Sequence, residues 1–475
     1  MTSSGTDLHE LDAHDQAELL RRREISSVEL MTHHLERVDR IGPAVGAFVT
    51  VTADAALEAA RVADARLAAG DAPPFCGVPT AIKDLTSTAG VRTTMGSRLL
   101  AELVPDVDAH VVRLVHEAGL VSLGKTNTPE FGLSSYTDND LVGVAATPWD
   151  TTRNAGGSSG GAAAAVSAGL VPMALGSDGG GSIRIPASCC GLVGVKPTRG
   201  RVSPGPVGGD WSGLASDGPL ARTVRDAAAL LDVLAHSQPG DARYVPTPAV
   251  PFAEQARRDP GVLRVAAWAD PYLPGIEADP GVRTIWAAAR DLLERLGHEV
   301  VEVANPFPAE LEPQFNVVWS SGMAAAPIPP EAESLLRGTT RYWRERGSRQ
   351  TAAELAAAMQ FLELTTRQVL TGLAGFDAFL TPTLALPPQP HAWFTESGDP
   401  VEDHRRELLF TPFTAVYNMA GIPAVSLPMG THEGLPIGVM LGSHAGRDGE
   451  LLALATQLET AAGWRTTPVD PRPGR

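Results

Sequence analysis

Gly156-Gly157-Ser158-Ser159-Gly160-Gly161, then Ala162-Ala163-Ala164-Ala165-Val166, then Gly176-Ser177-Asp178-Gly179-Gly180-Gly181-Ser182-Ile183-Arg184, is the stretch around which the chain is organised. It sets two serines among glycines, on either side of a small-residue helix and a short strand. Glycine lets backbone approach a ligand closely and reach conformations closed to other residues. Successive free N–H groups in such a turn can hold a developing negative charge. Nucleophile candidates and anion-stabilising amides therefore occur together. Most glycine-rich loops are only flexible connections. A connection by itself calls for neither two serines beside Gly-Gly nor Ser182-Ile183-Arg184-Ile185-Pro186 directly after.

Outward from this stretch, strand and helix signals alternate. Upstream, Ser26-Ser27-Val28-Glu29 has the form of a capping box, with Val28, Met31, Leu35 and Val38 following at helical spacing. A second helix runs from about Thr52 to Gly70, a C′ stop. Val78 to Ile82 reads as a buried strand with Lys83 at its end, Asp108 to Ala118 as a helix and Leu120 to Leu123 as a strand. Downstream come Met173–Leu175, Val193–Val195, Thr223–Leu234, Leu263–Ala267, Val282–Leu296 and Val300–Val303. The alternation predicts an α/β fold, a mixed central sheet covered on both faces by helices.

Beyond Asn305 the pattern changes. Prolines cluster at Pro327, Pro329 and Pro330, a helix follows over Ala352 to Leu373, and Phe379 to Thr383 reads as a strand ending in a turn. Pro423 to Pro428 and Pro436 to Gly442 read as closing strands before a final helix from Glu450 to Ala462. No repeat or linker divides the chain, so one domain over residues 1–475 is the simplest reading. Within it, N-terminal helices fill about 8–70, a core about 71–240, a variable pocket-forming segment about 305–400, and closing strands and helix about 410–465.

A net charge of −17 with no long basic run argues against nucleic acid or an anionic membrane as partner. It suits neutral or cationic small molecules. Cys76, Cys189 and Cys190 imply no disulfide framework. They read as buried thiols of a reducing compartment. The start of the chain lacks the basic-then-apolar order of a signal peptide, and no uncharged apolar run reaches membrane-spanning length, so the cytoplasm is the expected location. No His/Cys cluster has metal-ligand spacing, and neither a metal nor another cofactor is expected.

A serine nucleophile needs a base. The twelve histidines are scattered and none adjoins a catalytic motif. The alternative is a neutral lysine, because burial lowers a lysine's pKa by removing hydration from the charged form. Lys83 follows Pro79, Ala81 and Ile82. From spacing alone, an exposed strand-end lysine is the commoner case. Two other motif matches mislead. Gly119 to Thr126 fits the phosphate-loop expression GxxxxGK[ST], but its middle is itself an apolar strand and Asn127-Thr128-Pro129 breaks any helix after it. Gly156 to Gly160 fits the GxSxG elbow of α/β-hydrolases, but Trp149 to Asn154 is not the hydrophobic strand an elbow needs.

Three separated motifs in order resemble the amidase signature family of serine hydrolases: Gly77-Val78-Pro79-Thr80-Ala81-Ile82-Lys83-Asp84, Gly156 to Gly161, and Asp178 to Pro186. The likeness extends from about residue 8 to the Leu435–Val439 region and is weakest between roughly 240 and 400. A further likeness to the bacterial 6-aminohexanoate cyclic-dimer hydrolase subgroup rests on Gly176 to Pro206 and Ala221 to Asp226. The resemblance implies the family's fold and cleavage of small-molecule amides through an acyl-enzyme. Lys83 is then the base, Ser158 the bridging serine on a cis peptide bond after Gly157, and Ser182 the nucleophile. The N–H groups of Gly179, Gly180, Gly181 and Ser182 form the oxyanion hole, while Asp178 and Arg184 brace the loop. Ser159 either tunes the relay or caps the following helix. Asp84, on the opposite side of its strand, need not hold Lys83 charged. Thr147 departs from the asparagine that often precedes Pro-Trp in the family. Phe315, Trp319 and Met323 are candidate substrate contacts, with ordinary core packing the simpler account of each. Family members take aryl, linear or cyclic amides and carbamates. An alternative is the A-type component of a glutamine amidotransferase. The resemblance is also compatible with a homodimer.

Overall fold

A computed structural model describes residues 7–472. Local signals set several helix ends. Ser26 accepts the Glu29 N–H at 3.1 Å while the Glu29 carboxylate accepts the Ser26 N–H at 2.8 Å, a closed capping box that starts the helix Ser27–Val45. Thr351 and Glu354 repeat the arrangement at the start of Ala352–Gly372. Gly70 stops Ala53–Ala69 in the left-handed conformation, as its position predicts.

Among the described residues, eleven strands form one sheet. Across the sheet they run Phe48–Val51, Val121–Thr126, Pro79–Lys83, Met173–Asp178, Ser216–Ala221, Val193–Lys196, Ala424–His432, Leu435–Ser443, Ala378–Pro382, Arg264–Ala267 and Glu299–Glu302. Pro79–Lys83 is parallel to both its neighbours, and Arg264–Ala267 is parallel to both of its own. The pairings between these two parallel patches are antiparallel, so the sheet is mixed.

Alternation along the strands separates two layers. Met173, Leu175, Val265, Ala267, Val425, Leu427, Val439 and Leu441 join one buried cluster with the helices Val224–Leu234, Pro280–Arg295 and Asp448–Ala462. The intervening Ala174 belongs to a second cluster with Ser27–Val45 and Gly160–Ser167. Ala266, Ala424 and Met440 belong to a third, with Leu311–Ala324 and Ala352–Gly372. The sheet is thus covered by helices on both faces. Gly160–Ser167 is buried all round, and its small residues let it press against backbone. A Cβ on Gly161 would lie 2.2 Å from the Asn127 nitrogen, so even alanine is excluded there.

The closing strands depart from the sequence expectation, and Ser216–Ala221 is a strand that the sequence reading did not place. The closing strands are longer than predicted, nine residues each, because Glu433 and Gly434 both adopt positive φ and make a tight hairpin turn. Ser216–Ala221 carries Gly218-Pro219, a pair that argues against a central strand. It is nevertheless central, because only Leu220 and Ala221 pair with Val193–Lys196 and the proline lies outside that pairing. No helix among the described residues is long and apolar enough to cross a membrane. Cys76, Cys189 and Cys190 are free and buried.

Candidate active site

Pro79–Lys83 and Met173–Asp178 are parallel, so their carboxyl ends reach the same edge of the sheet. That edge brings together residues far apart in the chain. Lys83 is fully buried, and its Nζ lies 2.7 Å from Ser158 Oγ, 3.0 Å from Ser177 Oγ and 3.2 Å from the Ser177 carbonyl oxygen. Burial pushes the Lys83 amine down to about 7, although the charges of Asp217 and Asp178 work to raise it. Asp217 stands directly opposite Ser177 in the antiparallel register, so the two side chains share a face. Burial raises its carboxyl, and the Lys83 charge opposes that rise. Asp84 does turn away from Lys83, accepting the N–H of Thr94 at 3.0 Å and the Thr94 hydroxyl.

The Gly157–Ser158 peptide bond is cis. A Cβ on Gly157 would fall 2.5 Å from the Tyr136 carbonyl oxygen, so the turn admits only glycine. Ser159 precedes Gly160–Ser167 but makes no side-chain cap. Its hydroxyl donates instead to the Ser177 carbonyl at 3.2 Å, and its N–H donates to the Ser182 carbonyl at 3.1 Å. Those bonds tie the two serine loops side by side. The Ser182 hydroxyl meets no hydrogen-bond partner among the described residues.

Asp178 organises the glycine loop. It accepts from the N–H of Gly181 at 2.8 Å, the N–H of Ile183 at 3.2 Å, and Arg184 Nε and Nη2 at 2.9 and 3.0 Å. Burial alone would raise its carboxyl. The Arg184 charge and these hydrogen bonds overcome that and hold it well below the usual carboxylate range. The Gly181 N–H, expected to face an oxyanion, donates instead to Asp178. Those of Gly179, Gly180 and Ser182 donate to no atom among the described residues. Asn418 and Thr414 complete the brace: Asn418 Nδ2 donates to Asp178 Oδ1 at 2.8 Å, and the Thr414 hydroxyl donates to the Gly180 carbonyl at 2.6 Å. Ser177, sandwiched between Gly176 and Asp178, carried a local signal. Thr414 and Asn418, over 230 residues away, carried none.

Ser182 opens on a narrow cavity of about 80 Å³. Phe315 and Trp319, stacked at 5.3 Å on the helix Leu311–Ala324, line it. Trp319 also covers Gly179, whose Cβ would lie 3.1 Å from the indole. Met323 is core rather than cavity wall. It lies two helical turns beyond Phe315, about 12 Å along the axis. His404 is 3.4 Å from Glu312 and lines the same cavity, without a hydrogen bond to Ser182. A second cavity, about 540 Å³, is lined by Asp217, Trp211 and Arg199 and includes none of Lys83, Ser158 and Ser182.

The two misleading motifs resolve as well. Lys125, in the phosphate-loop match, is buried in the strand Val121–Thr126 and donates to Thr88 Oγ1 at 2.9 Å, Thr93 Oγ1 at 3.0 Å and the Thr86 carbonyl. Ser158 follows the irregular strand Asp150–Asn154, which pairs with Ala146–Thr147 and bridges to Pro390 at Arg153, outside the main sheet. Thr147 donates to the Cys189 carbonyl at 2.8 Å, so it serves its loop without the family's asparagine. Among the described residues, no group of three or more His, Cys, Asp or Glu side chains is placed to hold a metal ion.

A family model described as Amidase matches residues 29–452. The chain is 37% identical to the A-type component of the glutamyl-tRNA(Gln) amidotransferase of Aromatoleum aromaticum, over 94% of this chain and 96% of that protein. It is 36% identical to a 6-aminohexanoate-cyclic-dimer hydrolase of Paenarthrobacter ureafaciens, over 95% of each. A solved 6-aminohexanoate cyclic dimer hydrolase complexed with substrate superposes with a TM-score of 0.91 and 33% identity, covering 98% of this chain and all of the other. The model match over most of the chain, with this agreement of fold, makes the chain a member of the amidase family and an amide-hydrolysing enzyme.

Proposed function

We propose that the enzyme cleaves the C–N bond of small-molecule amides through an acyl-enzyme, with Ser182 as nucleophile, Ser158 as relay and Lys83 as base. The observation that carries the reading is the 2.7 Å contact between fully buried Lys83 Nζ and Ser158 Oγ. A neutral amine has two hydrogens and one lone pair. The two hydrogens match the two Ser177 oxygens, which leaves the lone pair for the Ser158 proton.

In the first step Ser182 Oγ bonds to the amide carbon. Its proton passes to Ser158 Oγ as the Ser158 proton passes to Lys83 Nζ. The oxyanion accepts from the free N–H groups of Gly179, Gly180 and Ser182. Collapse breaks the C–N bond, and the proton returns from Lys83 through Ser158 to the leaving nitrogen. Water then attacks the Ser182 ester along the same relay and releases the acid.

Ser182→Ala should abolish amide turnover while circular dichroism stays native, and a fluorophosphonate should label Ser182 in the wild type. Wild-type-like turnover by the variant, or labelling at Ser158, would defeat the reading. A second reading, the A-type component of an amidotransferase, is favoured by the 37% identity to one. The net charge of −17 and the lack of a basic run weigh against a partner handling tRNA.

A further inference from the structure

The cavity that opens on Ser182 is built where the helices Leu311–Ala324, Gly338–Ser348 and Pro400–Phe410 meet. Its chemistry is one-sided. Two carboxylates, Glu312 and Glu407, line it, and no lysine or arginine does. Its walls are aromatic faces, with Phe315, Trp319 and Trp343 foremost. Ring faces attract cations as carboxylates do.

The state of Glu407 sharpens this. One of its oxygens accepts the Ser135 N–H at 2.7 Å, and the other receives no hydrogen bond among the described residues. Burial pushes the carboxyl up, with the nearby Asp403 charge acting in the same direction and His404 and the Ser135 N–H and hydroxyl opposing it. Glu312 is differently placed, held by Asn316 and His404. Arg346, whose charge reaches Glu312, stacks on the Trp343 ring at 5.5 Å and is not part of the cavity wall. A structural account of Glu407 as an anchor for the 134–135 loop uses only one oxygen. It leaves unexplained why a second acid and several aromatic rings face the same space.

Resting on the reading of Ser182 as nucleophile, we infer that the preferred amide carries a cationic group, of which a primary ammonium is the simplest, seated against Glu407 between the aromatic walls. An ammonium supplies the donors that the free Glu407 oxygen lacks, and its charge favours the ionised carboxylate. A neutral substrate of the same shape would offer no charge to either the carboxylates or the rings.

The test compares n-alkylammonium ions with n-alkanols and n-alkanoates of four to eight carbons on the full-length wild-type enzyme. Two readouts are taken: protection of Ser182 from a fluorophosphonate, and quenching of the fluorescence of Trp319 and Trp343. The best ammonium should act at a concentration at least about tenfold below the alcohol of equal length, a margin set by one charge-assisted hydrogen bond. Alkanoates should be weakest. Glu407→Gln should narrow the ammonium-to-alcohol ratio towards one. Equal action of ammonium and alcohol, or a preference for the alkanoate, would overturn the inference. So would a preference that persists undiminished in Glu407→Gln. Fluorescence reads binding without chemistry, so failure of Ser182 to label would count against the proposed mechanism while leaving this inference to be decided by the quenching.

Discussion

Two neighbouring strand ends each bury a lysine. Pro79–Lys83 and Val121–Thr126 run parallel, and Lys83 aligns with Thr126, one residue from Lys125. Both side chains are fully buried, and burial lowers both amines, Lys83 to about 7 and Lys125 to about 8. The acceptors around them differ. Lys125 is enclosed by the Thr86 carbonyl and the hydroxyls of Thr88 and Thr93, with the Asp84 charge nearby, and contacts neither Ser158 nor Ser182. Lys83 reaches Ser158, which lies beside the glycine loop of Ser182. Lys196 makes the same point from a third strand: it too is lowered to about 7 by burial, yet among the described residues it donates to the Pro197 carbonyl alone. A lowered amine is thus common in this fold. What sets one amine apart is the hydroxyl it touches.

The largest expected effect falls on Lys83. Lys83→Arg keeps a cation but cannot lose its proton at a working pH. Amide kcat/KM should fall about 10²- to 10⁴-fold, the usual weight of a general base. Lys83→Ala should do at least as badly. A folded Lys83→Arg enzyme with most of its amide activity would make Lys83 a structural cation like Lys125 and erase the contrast.

Lys125→Met should show the opposite profile. It removes three hydrogen bonds from buried Lys125, while Thr88 Oγ1 still donates to the Thr86 carbonyl at 3.2 Å and Thr93 Oγ1 to the Val91 carbonyl at 3.0 Å, so the loss is about 0.5–1.5 kcal/mol per bond removed. Urea unfolding should shift accordingly, while the folded fraction keeps kcat/KM within about an order of magnitude of wild type. A specific activity as low as that of Lys83→Arg, with the fold intact, would mean that the two lysines are not functionally separate.

The smallest effect concerns pH. With Lys83 as the proposed base its deprotonated form is the working one, so kcat/KM should rise with pH through about 7 and level off above it. The Asp217 charge stabilises the protonated amine and therefore raises its pKa. Asp217→Asn should move the midpoint of the rise to lower pH and leave the alkaline plateau nearly unchanged. A midpoint that stays put would show that Asp217, despite facing the same side as Ser177, does not set the Lys83 titration.

The chain by itself determined the elements and the order of the chemistry-bearing motifs. Alternating strand and helix signals located most of the sheet, because period-2 and period-3.6 patterns are local properties. The capping box at Ser26 and the glycine stop at Gly70 were legible for the same reason. Ser158 and Ser182 stood out in their glycine-rich loops, whereas Lys83 as base and Phe315 and Trp319 as pocket residues were singled out by the resemblance to the amidase signature family. Tertiary structure alone decided what those residues meet. It committed the Gly181 N–H to Asp178, placed Met323 in the core, and aligned Ser177 and Asp217 around the Lys83 amine. It also brought Thr414 and Asn418 onto the glycine loop and folded three helices over Ser182, so that Glu312 and Glu407 face one cavity. These are contacts between positions far apart in the chain. They follow from strand order and helix packing, which leave no periodic trace in the residues they join.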